Sequence, residues 1–288
     1  MIMKRFIGFF AAMLMAALPL FAAESNSNPG VREVKTYDVD SFDALDVSWI
    51  YQVELTQGRN HSVKIEAPDF IMEYLDVRVR KSCLILSVKD MPRDVKRKVE
   101  SGKYSVVALV SMRKLSSLEM SGASTLFADG QVHSTNDIFR MELSGASSVK
   151  DLYVIADNAD LDCSGASKFD LKGKLKDVKL ALSGAAKADI YSDIKSINMD
   201  ISGAGKITMN GTVGDLLLSG SGAAKIDMLD CPVLWADVDL SGASKASIEV
   251  HETLKIRASG ASSLSYRAGD KLQILETDVS RGASLRRM

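Results

Sequence analysis

The stretch "LALSGAAKADIYSDIKSINMDISGAGKI", Leu180 to Ile207, says nearly the same thing twice: Ser-Gly-Ala stands at 183–185 and again at 202–204. Working outward, the motif glycine recurs at Gly122, Gly145, Gly165, Gly184, Gly203, Gly222, Gly242 and Gly260, with a degenerate ninth copy, "SRGAS", at Gly282. The intervals are 23, 20, 19, 19, 19, 20, 18 and 22 residues. A period this constant over more than half the chain marks a repeat architecture.

The residues before each glycine alternate. "MELSGA", "LDCSGA", "LALSGA", "MDISGA" and "VDLSGA" place apolar residues two apart, so Met141 and Leu143, Leu161 and Cys163, and Met199 and Ile201 share an inward face. Glu142, Asp162, Asp200 and Asp239 then point to water, and a period of two means strand. A second alternation follows the motif, as in Lys168, Phe169, Asp170, Leu171 or Lys187, Ala188, Asp189, Ile190. Each unit therefore holds at least two short strands, with one bend at Ser-Gly-Ala and another near Gly173, Asp193 or Gly211.

A unit of this length cannot bury its own apolar side, but stacked units can. Helical repeats fit poorly, and the asparagine signature of leucine-rich repeats is absent. The pattern predicts an all-β chain: a parallel β-helix of about nine coils, right-handed by the general rule for parallel crossovers. Glycine at the corner supplies backbone angles closed to other residues. The alanine is expected where the corner pinches the interior, and the serine hydroxyl to bond backbone nearby. Nine corners at about 4.8 Å would form a column roughly 40 Å long. Within the repeats only Pro232 interrupts the supply of amide hydrogens for ladders.

Three segments follow: 1–23 a signal peptide, 24–115 a β-rich N-terminal cap, and 116–288 the repeats. In the first, Lys4 and Arg5 precede an apolar run from Phe6 to Leu20 and the small residues Ala22 and Ala23, the layout of an export signal. No cysteine follows for lipid attachment, and no later run is long enough to cross a membrane as a helix. The expected location is the periplasm or the cell surface. In the second segment "VREVKTYDV", "ALDVSWIYQVEL", "HSVKIEA", "LDVRVR" and "CLILSV" read as strands without the repeat period, and "MPRDVKRKVESGK" as an exposed loop. A separate small β domain and a set of irregular first coils both fit; the second is preferred, because the end of a stack is an edge that must be covered.

"SFDALDVSWIYQVELTQGRNHSVKIEAP", "YLDVRVRKSCLILSV" and "YSVVALVSMRKLSSLEMSGAS", with the later Ser-Gly-Ala units, resemble the secreted, Bacteroidetes-rich family DUF2807, the auto-transporter adhesin head GIN domain. The resemblance covers almost all of the chain after its leader. It implies a right-handed β-helix similar in outline to pectin lyases, without a recognised catalytic set, and a role in cell adhesion.

Chemistry is sparse. The formal net charge of −1 gives no reason to expect nucleic acid or an anionic membrane. Cys83, Cys163 and Cys231 lack metal or redox spacing and read as three separate buried thiols. His61, His133 and His251 stand apart, without metal-ligand neighbours. "GAGK" at 203–206 lacks the remainder of a phosphate loop, and no nucleophile elbow occurs. No metal or cofactor is expected. The one arrangement that could carry recognition is a file of lysines, Lys168, Lys187, Lys206, Lys225 and Lys245, each three residues after a motif glycine in five consecutive coils. Such a file suits an acidic glycan or an anionic partner surface. The plainer reading is a mixed-charge solvent face, with Asp170, Asp189 and Asp227 two residues further on.

The expected function is thus an exported, non-enzymatic binding or adhesion module, its partner a glycan or a host or cell-surface protein, with self-association an open alternative. A pectate-lyase-like enzyme and a purely structural envelope component are the competitors. Against a lyase, the outward acids are spread one per coil rather than gathered with an arginine.

Overall fold

The computed structural model describes residues 31–128, 132–134, 137–280 and 282–288. The export leader expected at 1–23 lies outside them, as does the side chain of His133. The chain opens with β1 (Arg32–Tyr37), β2 (Ala44–Val47), β3 (Tyr51–Gln57), β4 (Ser62–Pro68), α1 (Asp69–Met72), β5 (Leu75–Arg80), β6 (Cys83–Val88), α2 (Arg93–Glu100) and β7 (Val106–Met112). Next come β8 (Ser117–Met120), β9 (Thr125–Ala128), β10 (Val132–Ser134) and β11 (Ile138–Leu143). Six long strands follow: β12 (Ser148–Cys163), β13 (Lys168–Leu182), β14 (Lys187–Ile201), β15 (Lys206–Gly220), β16 (Lys225–Leu240) and β17 (Lys245–Ala258). The last are β18 (Ser263–Ala268), β19 (Gln273–Val279) and β20 (Ser284–Arg287).

All twenty strands join one sheet that winds into a β-solenoid of about eight turns. The ninth motif adds no full coil, since Gly282 is followed only by β20. From β12 to β17 pairing continues through the second bend, so each of these coils is a single bent strand. The wall turns where two or more neighbours face out together, as at Lys172–Lys174 and again at Lys176 and Asp177. Successive coils pair in parallel one period apart, Phe169 against Ala188 and Ala188 against Ile207. Inward residues therefore stack into one continuous apolar core from Phe42 to Tyr266.

At the corners the motif glycines all take positive φ, 66° to 71° from Gly122 to Gly260. From Gly122 to Gly242 each glycine carbonyl accepts the N–H of the alanine one coil later, for example Ala204 to Gly184 at 2.7 Å and Ala223 to Gly203 at 2.6 Å. The alanine of the motif is exposed, contrary to expectation. The pinched position is the next residue, filled by Ser124, Ser147, Ser167, Ala186, Gly205, Ala224, Ser244 and Ser262, all buried. Only a small side chain fits where the chain turns back under the coil above. The hydroxyls of Ser147 and Ser167 have no hydrogen-bond partner there. Because sister coils carry Ala186 and Ala224 at the same place, Ser167→Ala should raise stability by about 1 kcal/mol. A lower urea midpoint than wild type would contradict that.

The N-terminal cap segment, described from residue 31, is more periodic than its sequence suggests. "ALDVSWIYQVEL" is not one strand: β2 and β3 flank a corner, Ser48-Trp49-Ile50, and pair in parallel with β8 and β9 of the first Ser-Gly-Ala coil. Trp49 occupies the glycine position with φ 70°. A side chain is tolerated there because the coil on its other side, β6 and β7, has no corner; residues 89–105, carrying α2, replace it. The charged piece expected as a loop is therefore partly helical, and it buries Val99. Antiparallel β4 on β7, β1 on β4, and β5 on β6 finish this end of the column. Directly after β4, Asp69 opens the short helix α1.

Candidate binding faces

The parallel register turns an interval in sequence into a neighbour in space. Lys168 pairs with Lys187, Lys187 with Lys206, Lys206 with Lys225 and Lys225 with Lys245, which makes one straight row. All five are exposed. At strand spacing the row spans about 19 Å, and each neighbouring pair repels by about 0.9 kcal/mol in bulk water. The adjacent outward column runs Asp170, Asp189, Thr208, Asp227, Ser247. Its three carboxylates face five ammonium groups, and none of the five lysines forms an ion pair with them. Burial, then Asp189 and Asp151, push the Asp170 carboxyl above its usual range, while Lys150 and Lys168 pull the other way. This face carries surplus positive charge.

Across the corner lies an acidic column. Asp46, Glu119, Glu142 and Asp162 stack in consecutive coils, and Ala181, Asp200, Ser219, Asp239, Arg257 and Asp278 continue the line. Burial raises the Glu119 carboxyl, and Asp46 and Glu142 raise it further. Further along, the acids do gather with an arginine, contrary to the sequence reading: Arg257 donates to Asp237 at 2.6 Å and to Asp239 at 3.5 Å, with Glu276 at 3.7 Å. Its charge occupies the centre of that cluster. The cause is diagonal: Asp239 and Arg257 are register partners, and a long side chain also reaches the neighbouring column.

The same wall holds residues that the sequence reading passed over. Trp235 and Leu217 are exposed, at 52% and 45%, on diagonal positions of β16 and β15. They floor a shallow groove of about 320 Å³ rimmed by Ser196, Asn198, Asp215, Asp237, Thr253 and Lys255. The Trp235 indole donates its Nε1–H to Glu252 at 3.0 Å. A signal was available in the repeat: apart from Ile138 at its start, the Trp235 column otherwise holds Asn158, Asp177, Ser196, Asp215, Thr253 and Gln273, all polar.

The remaining candidates are engaged locally. His251 sits 2.8 Å from Glu249, whose other oxygen accepts from Arg267 at 2.6 Å; these bonds hold the Glu249 carboxyl below its usual range. His61 packs on Phe42 beside a hollow of about 250 Å³ at the N-terminal end. Cys163 and Cys231 are buried, and burial pushes each thiol up to about 12. Cys83 is only half-buried, its thiol pushed up to about 11 by burial and by Asp46, Glu119 and Asp43. Among the described residues no cluster of His, Cys, Asp and Glu could hold a metal ion. Nor is any described helix long and apolar enough to cross a membrane.

A family model described as "Putative auto-transporter adhesin, head GIN domain" matches residues 41–192 and 179–269. No curated protein matches the chain. Among solved structures, a "putative adhesin" from Parabacteroides distasonis is similar, with TM-score 0.69 and 14% identity over 90% of this chain and 98% of its own. A second, from Parabacteroides merdae, has TM-score 0.68 and 14% identity, covering 90% and 97%. A "putative lipid binding protein" from Parabacteroides distasonis has TM-score 0.60 and 12% identity over the same shares. At such identities the likeness is one of fold.

Proposed function

The chain belongs to the DUF2807 family, matched over residues 41–269, and from that premise we propose that it is an exported, non-enzymatic adhesion module that holds an acidic glycan along its lysine row. The observation that carries this reading is the row itself: five exposed ammonium groups in register, without ion pairs, on a rigid wall. Alternate lysines stand about 9.6 Å apart, so a polymer with regularly spaced carboxylates or sulfates can meet several at once. Each contact alone is weak and screened by salt. Several fixed along one line add through effective concentration. The row is pre-organised, since the backbone bearing it is hydrogen-bonded on both sides.

Retention of the protein on immobilised polygalacturonate should fall as salt rises. Lys187→Gln, Lys206→Gln and Lys225→Gln together should abolish it. Unchanged retention of that triple variant would remove the lysines from the function. Calcium-dependent release of unsaturated sugars would establish the lyase reading in place of simple binding.

A further inference from the structure

The wall bearing Trp235 precedes the Ser-Gly-Ala corner and the lysine row follows it, and the chemistry of the two is different. We propose that the groove floored by Trp235 and Leu217 is a stacking site for a neutral, gluco-configured pyranose unit of an oligosaccharide. Three observations lead there. First, the indole is exposed between polar column neighbours, Asp215 on one side and Thr253 on the other, and its Nε1 is tied to Glu252, which sets the ring's orientation. A flat apolar ring with a fixed edge suits the C–H face of a sugar whose hydroxyls are all equatorial.

Second, the rim supplies both kinds of hydrogen-bonding partner. Asn198, Asp215 and Lys255 line the groove and have no side-chain partners. Ser196 and Thr253 add hydroxyls. Asp215 offers an acceptor pair and Lys255 donors, as a ring of hydroxyls requires. Third, the local charge is balanced. Among the lining residues Asp237 is matched by Arg257, which leaves the Asp215 carboxylate and the Lys255 ammonium, and the Glu252 carboxylate beside the indole adds no positive charge. A neutral ligand suits that balance, whereas an acidic polymer suits the lysine row. A protein partner fits less well: even with Leu234 beside Trp235 and Ile274 and Leu275 two coils on, the exposed apolar side chains fall short of the roughly 800 Å² each partner buries in a stable interface, and charged groups are depleted from the centre of such interfaces.

The site stands independently of the lysine row. Titrating the full chain with cellohexaose should quench and blue-shift its tryptophan emission, Trp235 being one of only two tryptophans. Affinity is read separately by calorimetry, so that loss of the fluorophore does not pass for loss of binding. Trp235→Ala and Leu217→Ala should each weaken cellohexaose binding, the first by at least about tenfold, while Trp235→Phe retains part of it. The triple lysine-to-glutamine variant should bind cellohexaose as wild type does, which separates failure of this site from failure of the row. Absence of calorimetric binding by wild type, or wild-type affinity in folded Trp235→Ala, would overturn the proposal. So would concentration-dependent self-association lost in Trp235→Ala without any response to sugar, which would make the patch a contact between copies.

Discussion

Replacing Gly203 by valine should cost about 3–5 kcal/mol, a large share of the stability of an ordinary domain. Two effects combine. The residue sits at φ +67°, where a β-branched side chain is strained by roughly 1–2 kcal/mol. In addition, a Cβ built there would lie 2.7 Å from the carbonyl oxygen of Gly184 and 3.0 Å from its nitrogen. That oxygen accepts the Ala204 N–H at 2.7 Å, so the coils cannot separate to make room without losing the bond. The collision is with Cβ, and Gly203→Ala should be nearly as damaging. Gly102 is the control: its φ is +74°, but nothing lies within 4 Å of a Cβ there. Gly102→Ala should cost only the dihedral strain. Equal urea midpoints for Gly203→Ala and Gly102→Ala would mean that stacking does not demand the glycine.

The second large effect lies inside the column. Phe169 is fully buried and stacks between Val149 of the coil before and Ala188 of the coil after. The large ring fills space that its small successor leaves. Phe169→Ala should therefore cost about 3–5 kcal/mol, since two adjacent coils would then lack bulk at one level. Ala188→Phe alone should cost about 1–3 kcal/mol by overpacking. The double variant exchanges the two sizes between neighbouring levels and should recover at least about 1.5 kcal/mol of the summed cost. Strict additivity would show that the two positions do not share a cavity. In a stack of nearest-neighbour contacts, damage at a central level also uncouples the coils on either side, so both unfolding transitions should broaden as well as shift.

Much of this molecule was legible from its letters because a solenoid has translational symmetry along its axis. A residue nineteen positions on is the neighbour above, so the lysine interval became a lysine row without any knowledge of side-chain packing. The same logic located the corner glycines, the inward alternation of Met199 and Ile201, and the acids across the corner. It failed at Trp49, where a corner carries no glycine, because the need for glycine comes from the coil stacked against it, and there that coil has an insertion instead. It also misplaced the alanine, since which corner residue turns inward depends on how sharply the wall folds.

The sequence by itself determined the repeat, its strand character, its stacking axis and the composition of each column, since all of these follow from local period and one translation. Tertiary structure alone decided which columns meet sideways. Trp235 beside Leu217, and Arg257 reaching Asp237 and Glu276, are diagonal neighbours whose placing depends on register shifts at 208–210, 228–235 and 254–255 and on side-chain reach. Those are properties of how strands lie against one another, and no interval along the chain encodes them.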